Sequence, residues 1–123
     1  MTKRRLSNYL RTYRKHSGLS QSEVSFLLQL RNKSELSRYE RSIRQPSLRM
    51  ALAYQEVFGT PVFELFAGLN DLASRDARKQ MARLKAQLQK RVEIKKDENR
   101  IAQKFQWVSQ RLLDMPRLIT SLV

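Results

Sequence analysis

The residues best suited to chemistry lie in one short stretch, K-S-E-L-S-R-Y-E-R at positions 33–41. If this stretch is a helix, Leu36 and Tyr39 must face a core. Lys33, Ser34, Ser37 and Arg38 are then left on the outer side, with Glu35 and Arg41 beside them. A helix lying in a major groove offers base edges only the side chains near its N-terminus and along one face. Lys33 and Arg38 are donors suited to guanine O6 and N7, and a serine hydroxyl pairs with several base edges. Arg41, Arg44 and Gln45 follow at once and are candidates for phosphate contact, as is Ser37.

Catalytic chemistry lacks its parts. The chain has no cysteine and a single histidine, His16, beside Lys15 at a helix end. It has no Gly-rich phosphate loop and no acid pair set in an apolar pocket, so neither an enzyme nor a metal site nor a cofactor is expected. Of 123 residues, 25 are Lys or Arg and 11 are Asp or Glu, a net charge of +14. That balance points to a polyanionic partner, usually nucleic acid. No apolar run approaches the roughly 20 residues of a membrane span, and the Arg-rich start lacks the apolar core of a signal peptide. The expected location is cytoplasmic, with the bacterial nucleoid, and no membrane partner is expected.

Helical periodicity runs throughout, and strand signals are almost absent. Leu6, Leu10 and Tyr13 predict a first helix that Gly18 closes. Ser20-Gln21-Ser22-Glu23 has the form of a capping box and opens a second helix carrying Val24, Leu27 and Leu28. Asn32 precedes the third, at about 33–41. Pro46-Ser47 opens a fourth, with Leu48, Leu52, Tyr54 or Gln55, and Val57-Phe58 before Gly59. Thr60-Pro61 caps a short fifth helix through Leu65 and Phe66. The expected core is Leu10, Tyr13, Val24, Leu27, Leu28, Leu30, Leu36, Tyr39, Leu48, Leu52, Val57, Phe58, Val62, Leu65 and Phe66.

Beyond Gly68 the composition shifts to Ala, Leu, Gln, Lys and Arg, all good helix formers. One apolar stripe runs Leu69, Ala73, Ala77, Met81, Leu84, Leu88 and Val92; a second runs Ile101, Phe105, Val108, Leu112 and Met115. They are out of heptad phase across the polar run 95–100, which predicts two helices with a bend near 93–98. Pro116 ends the second, before an apolar end at 118–123. Such stripes need a partner surface, because a lone exposed helix is unstable in water. Met81, Leu84, Leu88, Ile101, Phe105, Val108 and Leu112 are the candidate oligomerisation residues. Charge divides evenly, with 12 Lys and Arg against five acids in residues 1–66 and 13 against six in 67–123.

Three fragments together, G-L-S-Q-S-E-V at 18–24, S-E-L-S-R-Y-E-R at 34–41 and Pro46-Ser47-Leu48, resemble the phage-repressor-type (XRE-like) helix-turn-helix family. F-G-T-P-V-F-E-L-F at 58–66 is similar to that family's closing helix, so the resemblance spans roughly Leu6 to Phe66. It implies an all-α fold: a five-helix repressor-like domain over 1–68, followed by a helical extension over 69–123 for oligomerisation or partner binding. It implies that Lys33, Ser34 and Arg38 occupy base-reading positions, with Asn32 and Glu35 as further contributors, and that Gln21 clamps phosphate. It also implies a structural ion pair between Arg14 and Glu40. Three features depart from the family pattern. Gln29 stands where glycine is usual in the tight turn, Ser42 replaces a frequent glycine, and one extra residue separates Leu30 from Leu36.

The expected function is a sequence-specific regulator of transcription, a repressor, that binds a pseudo-palindromic duplex DNA operator as a homodimer. Two alternatives stand beside it. One is an antitoxin-like repressor whose residues 69–123 bind a partner protein. The other is a non-specific basic RNA or membrane-surface binder.

Overall fold

A computed structural model describes residues 5–94 and 98–114. These form seven helices in the order α1 (Leu10–Ser17), α2 (Gln21–Leu27), α3 (Lys33–Glu40), α4 (Leu48–Phe58), α5 (Val62–Leu65), α6 (Ala67–Ile94) and α7 (Glu98–Asp114). No strand occurs among the described residues, so the fold is all-α, with a helix-turn-helix region followed by a helical extension. The chain divides into two compact units, Met1–Asn70 and Asp71–Val123. The expected stop at Met115 and Pro116 and the apolar end 118–123 lie outside the described residues, as do the bend residues Lys95, Lys96 and Asp97 and the side chain of Val92.

Local chemistry explains where the helices of the first unit begin. At α2 the Glu23 backbone N–H donates to Ser20 Oγ at 3.1 Å, and the Ser20 N–H donates to Glu23 Oε1 at 2.9 Å. Hydrogen bonding of the Glu23 carboxyl with the Ser20 backbone N–H first, and then with the Ser20 side chain, holds it below the usual carboxylate range. Asn32 Oδ1 caps α3 by accepting from the Glu35 N–H at 3.1 Å, and Ser47 Oγ caps α4 by accepting from Met50 at 3.1 Å. The cap of α5 differs from expectation. Thr60 turns its hydroxyl back to the Phe58 carbonyl, and Gln55 Oε1 accepts from the Val62 N–H at 2.9 Å.

The helix ends explain two of the departures from the family pattern. After α2, the Leu30 N–H reaches Ser25 O at 2.9 Å and the Gln29 N–H reaches Phe26 O at 3.1 Å. After α3, Ile43 reaches Arg38 O at 2.9 Å and Ser42 reaches Tyr39 O at 3.1 Å. Both are Schellman closures, which need a left-handed residue at the turn. Gln29 at φ 58° and Ser42 at φ 59° supply it without being glycine.

The first unit packs around Leu10, Val24, Leu28, Leu36, Tyr39, Ala51, Tyr54, Leu65 and Phe66. Three residues expected in this core are exposed instead: Leu27, Leu48 and Leu52. Helix α4 is apolar around most of its circumference, so its sequence offers two possible inward faces. The Tyr54 face wins because its ring stacks on Phe58, 5.9 Å between centroids, and meets Tyr39 edge-on at 6.4 Å. Those aromatic contacts add to area burial, and Leu48 and Leu52 are turned outward.

Leu6 also departs from expectation: it is exposed and precedes α1. Residues 6–9 instead form a strap along the end of α5 and the start of α6. Tyr9 N–H donates to Leu65 O at 2.7 Å, Gly68 N–H to Leu6 O at 2.9 Å, and Leu69 N–H to Ser7 O at 3.4 Å. Glycine is required at 68 because a Cβ there would lie 2.3 Å from the Leu6 carbonyl oxygen.

In the second unit α6 and α7 bury Leu88 and Val108, and Lys85 Nζ sits over the Phe105 ring, 5.5 Å from its centroid. Met81, Ile101, Phe105 and Leu112 are half-buried, whereas Leu84 is exposed. The strap makes one substitution diagnostic. Gly68→Ala should lower stability by about 1–3 kcal/mol, the usual range for forcing an extra methyl into a packed site, read as a fall in the thermal midpoint at unchanged helix content.

Candidate nucleic-acid interface

Helix α3 presents Lys33, Ser34 and Arg38 to solvent, while Leu36 and Tyr39 are buried beneath them. Ser37 and Glu35 are half-buried on its flanks. Asn32 is exposed, but its Oδ1 is engaged as the helix cap. Beyond the helix, Arg41, Arg44 and Gln45 are all exposed. Arg41 Nε reaches back to Ser37 O at 3.4 Å, and Arg44 Nη1 stands 4.0 Å from Glu35 Oε1. An exposed pair at that distance contributes little to stability, so Arg44 can exchange its carboxylate for a phosphate at small cost.

Beneath this surface α3 is tied to α1 and α2 by one polar network. Arg14 Nε donates to Glu40 Oε2 at 2.6 Å and Arg14 Nη2 to Glu40 Oε1 at 3.2 Å, a two-pronged ion pair. The side chains are 12% and 3% exposed. The third guanidinium nitrogen, Arg14 Nη1, donates to the Leu19 carbonyl at 3.2 Å, between α1 and α2. Gln21 Nε2 donates to Glu40 Oε1 at 3.0 Å. The Gln21 side-chain amide thus joins the interhelical network, and Gln21 is half-buried rather than fully open to a backbone phosphate.

Asn8 was not singled out by sequence reasoning, yet it is the second tie. It is buried, accepts from the Leu10 N–H at 3.1 Å, and donates through Nδ2 to Tyr39 O at 2.9 Å and Ser42 Oγ at 3.1 Å. Its only sequence signal is its position just ahead of α1. The partners lie more than 30 residues away, beyond the reach of any local pattern. The Tyr54 hydroxyl is buried close to Glu40 and has no hydrogen-bond partner among the described residues. Burial, and then the Glu40 and Tyr39 charges, push its pKa far above the usual phenol value, so it stays neutral.

The arrangement is a short polar and cationic helix face held rigidly over a core. Its exposed groups are cations and hydrogen-bond donors, Lys33, Ser34 and Arg38 on the helix and Arg41, Arg44 and Gln45 beyond it. Among the described residues no group of His, Cys, Asp and Glu could hold a metal, and no helix is long and apolar enough to cross a membrane. Residues 10–65 match the family model described as helix-turn-helix, a DNA-binding family, and the match is consistent with the phage-repressor-type resemblance of the sequence. Searches of curated proteins and of solved structures gave no match.

Asn8→Ala should cost about 1–3 kcal/mol, because it leaves buried backbone groups without partners. Denaturant unfolding followed by circular dichroism measures that loss.

Proposed function

We propose that the chain is a sequence-specific duplex-DNA-binding regulator of transcription, a repressor, that reads the major groove with α3. The observation that carries this reading is the exposed set Lys33, Ser34 and Arg38, held on a helix whose opposite face is locked by the Arg14–Glu40 pair. Lys33 and Arg38 are the guanine-reading donors, and Ser34 is a third base contact. Asn32 contributes through its amide nitrogen, its Oδ1 being the helix cap, and Glu35 is a further contributor at the start of the helix. Arg41, Arg44, Gln45 and Ser37 hold the sugar-phosphate backbone. Gln21 acts indirectly, by fixing Glu40.

A single recognition helix makes too few base contacts for strong specificity, so the reading includes a homodimer on a pseudo-palindromic operator. Leu88 and Val108 are already buried inside one chain. The surfaces left for a second copy centre on Leu84 and the exposed Trp107 and Leu113. An antitoxin-like role would use these same side chains for a different protein, and no specific observation favours it.

Selection from a random duplex pool at physiological salt should enrich one motif. Arg38→Ala should relax the preference at one base position, at a cost of about 1–3 kcal/mol for the cognate base. Arg44→Ala should weaken all sequences alike. No enriched motif from a folded protein would refute the reading.

A further inference from the structure

The extension carries as much net charge as the reader domain, and the arrangement of its cations along α6 is specific. At 100° per residue, Arg75, Lys79, Arg83 and Lys90 share one face of this helix, with the small side chains Ala82 and Ala86 among them. All six are exposed. The opposite face carries Met81, Lys85 and Leu88, and it is the face that packs on α7. None of the four cations is paired with a carboxylate among the described residues. Within the span from Arg75 to Lys90 Asp76 is the one acid, at the margin of the face and one turn from Lys79, and Asp71 stands one turn before Arg75 at the opposite margin.

We infer that this face of α6 is a second docking surface for duplex DNA, contacting phosphates only. The inference rests on the reading of α3 as a duplex reader. Charge complementarity and spacing carry it. Arg75 and Lys90 are separated by a helix rise of about 22 Å, over which a duplex presents a phosphate charge about every 1.7 Å. The alanines let the helix backbone come close to the duplex, and Lys and Arg stems then reach phosphates on either side. The face has no base-reading set comparable to that of α3, so its contribution is independent of sequence. It is also a poor match for a bilayer. An interfacial helix buries a broad apolar face, and among the described side chains Leu72 is the one large exposed apolar group on this side of α6.

The test compares the full chain with a variant carrying Arg75→Gln, Lys79→Gln, Arg83→Gln and Lys90→Gln. All four positions lie on the solvent face, and glutamine is a good helix former, so circular dichroism should be unchanged. Binding to a long random-sequence duplex is measured across a salt series. Each lost phosphate contact removes about 0.9 from the log–log slope, so the variant slope should fall by at least about two units. A companion variant, Asp76→Asn, should bind more tightly than the parent. Base preference selected from a random duplex pool should be the same for parent and variant. A smaller fall in slope with the fold intact overturns the inference while leaving the α3 reading standing. Slope lost only on RNA, or binding lost only to phosphatidylserine vesicles, also overturns it. If the parent chain binds no duplex at all, the α3 reading is what fails.

Discussion

The first unit depends on one buried ion pair. Arg14 and Glu40 join the first helix to the end of the third, and almost all of the Glu40 carboxylate is withdrawn from water. Taking both charges out of solvent is costly, and attraction alone rarely offsets the cost. Here three nitrogen donors converge on the carboxylate, and the guanidinium also satisfies the Leu19 carbonyl. Such a pair adds modest net stability compared with apolar packing. Its value lies in direction, because the two-pronged geometry permits only one placement of α3 against α1.

Under the proposed reading of α3 that constraint matters, because a helix that reads DNA must hold its face in register with base edges. Helix α3 has only eight residues and cannot be stable by itself. It is fixed at its start by Asn32, at its end by the Ser42 turn, and beneath by Leu36 and Tyr39. Asn8 grips the last turn from the far side by binding both Tyr39 O and Ser42 Oγ. Ser42 therefore does what a glycine could not, since its left-handed backbone closes the helix while its hydroxyl receives Asn8. The backbone strain of a non-glycine residue there is tolerated because two long-range bonds hold it.

How much of this was legible in the sequence follows from range. Ser20 with Glu23, Asn32 with Glu35 and Ser47 with Met50 act across three residues, and pattern reading found the first two pairs and the start of α4. The two-helix extension was legible from the phase break between the apolar stripes. The inward face of α4 was not, because Leu48 and Leu52 compete with Ala51 and Tyr54 and only the tertiary aromatic contacts decide. The apolar spacing of Leu6 continues that of Leu10 and Tyr13, so the pattern predicts helix where the chain forms a strap. The exposed members of the α3 face follow once Leu36 and Tyr39 are assigned inward, whereas the inward turn of Gln21 depends on where Glu40 lies in space.

The central claim is that the Arg14–Glu40 pair orients α3 without itself touching DNA. A double-mutant cycle tests it most directly, with Arg14→Met, Glu40→Met and both together, each measured for unfolding free energy and duplex affinity. Either single change strands a buried charge and should cost about 3–5 kcal/mol. The double variant should be more stable than either single variant and should bind duplex in proportion to its folded fraction. Losses in unfolding free energy that simply add would contradict the account.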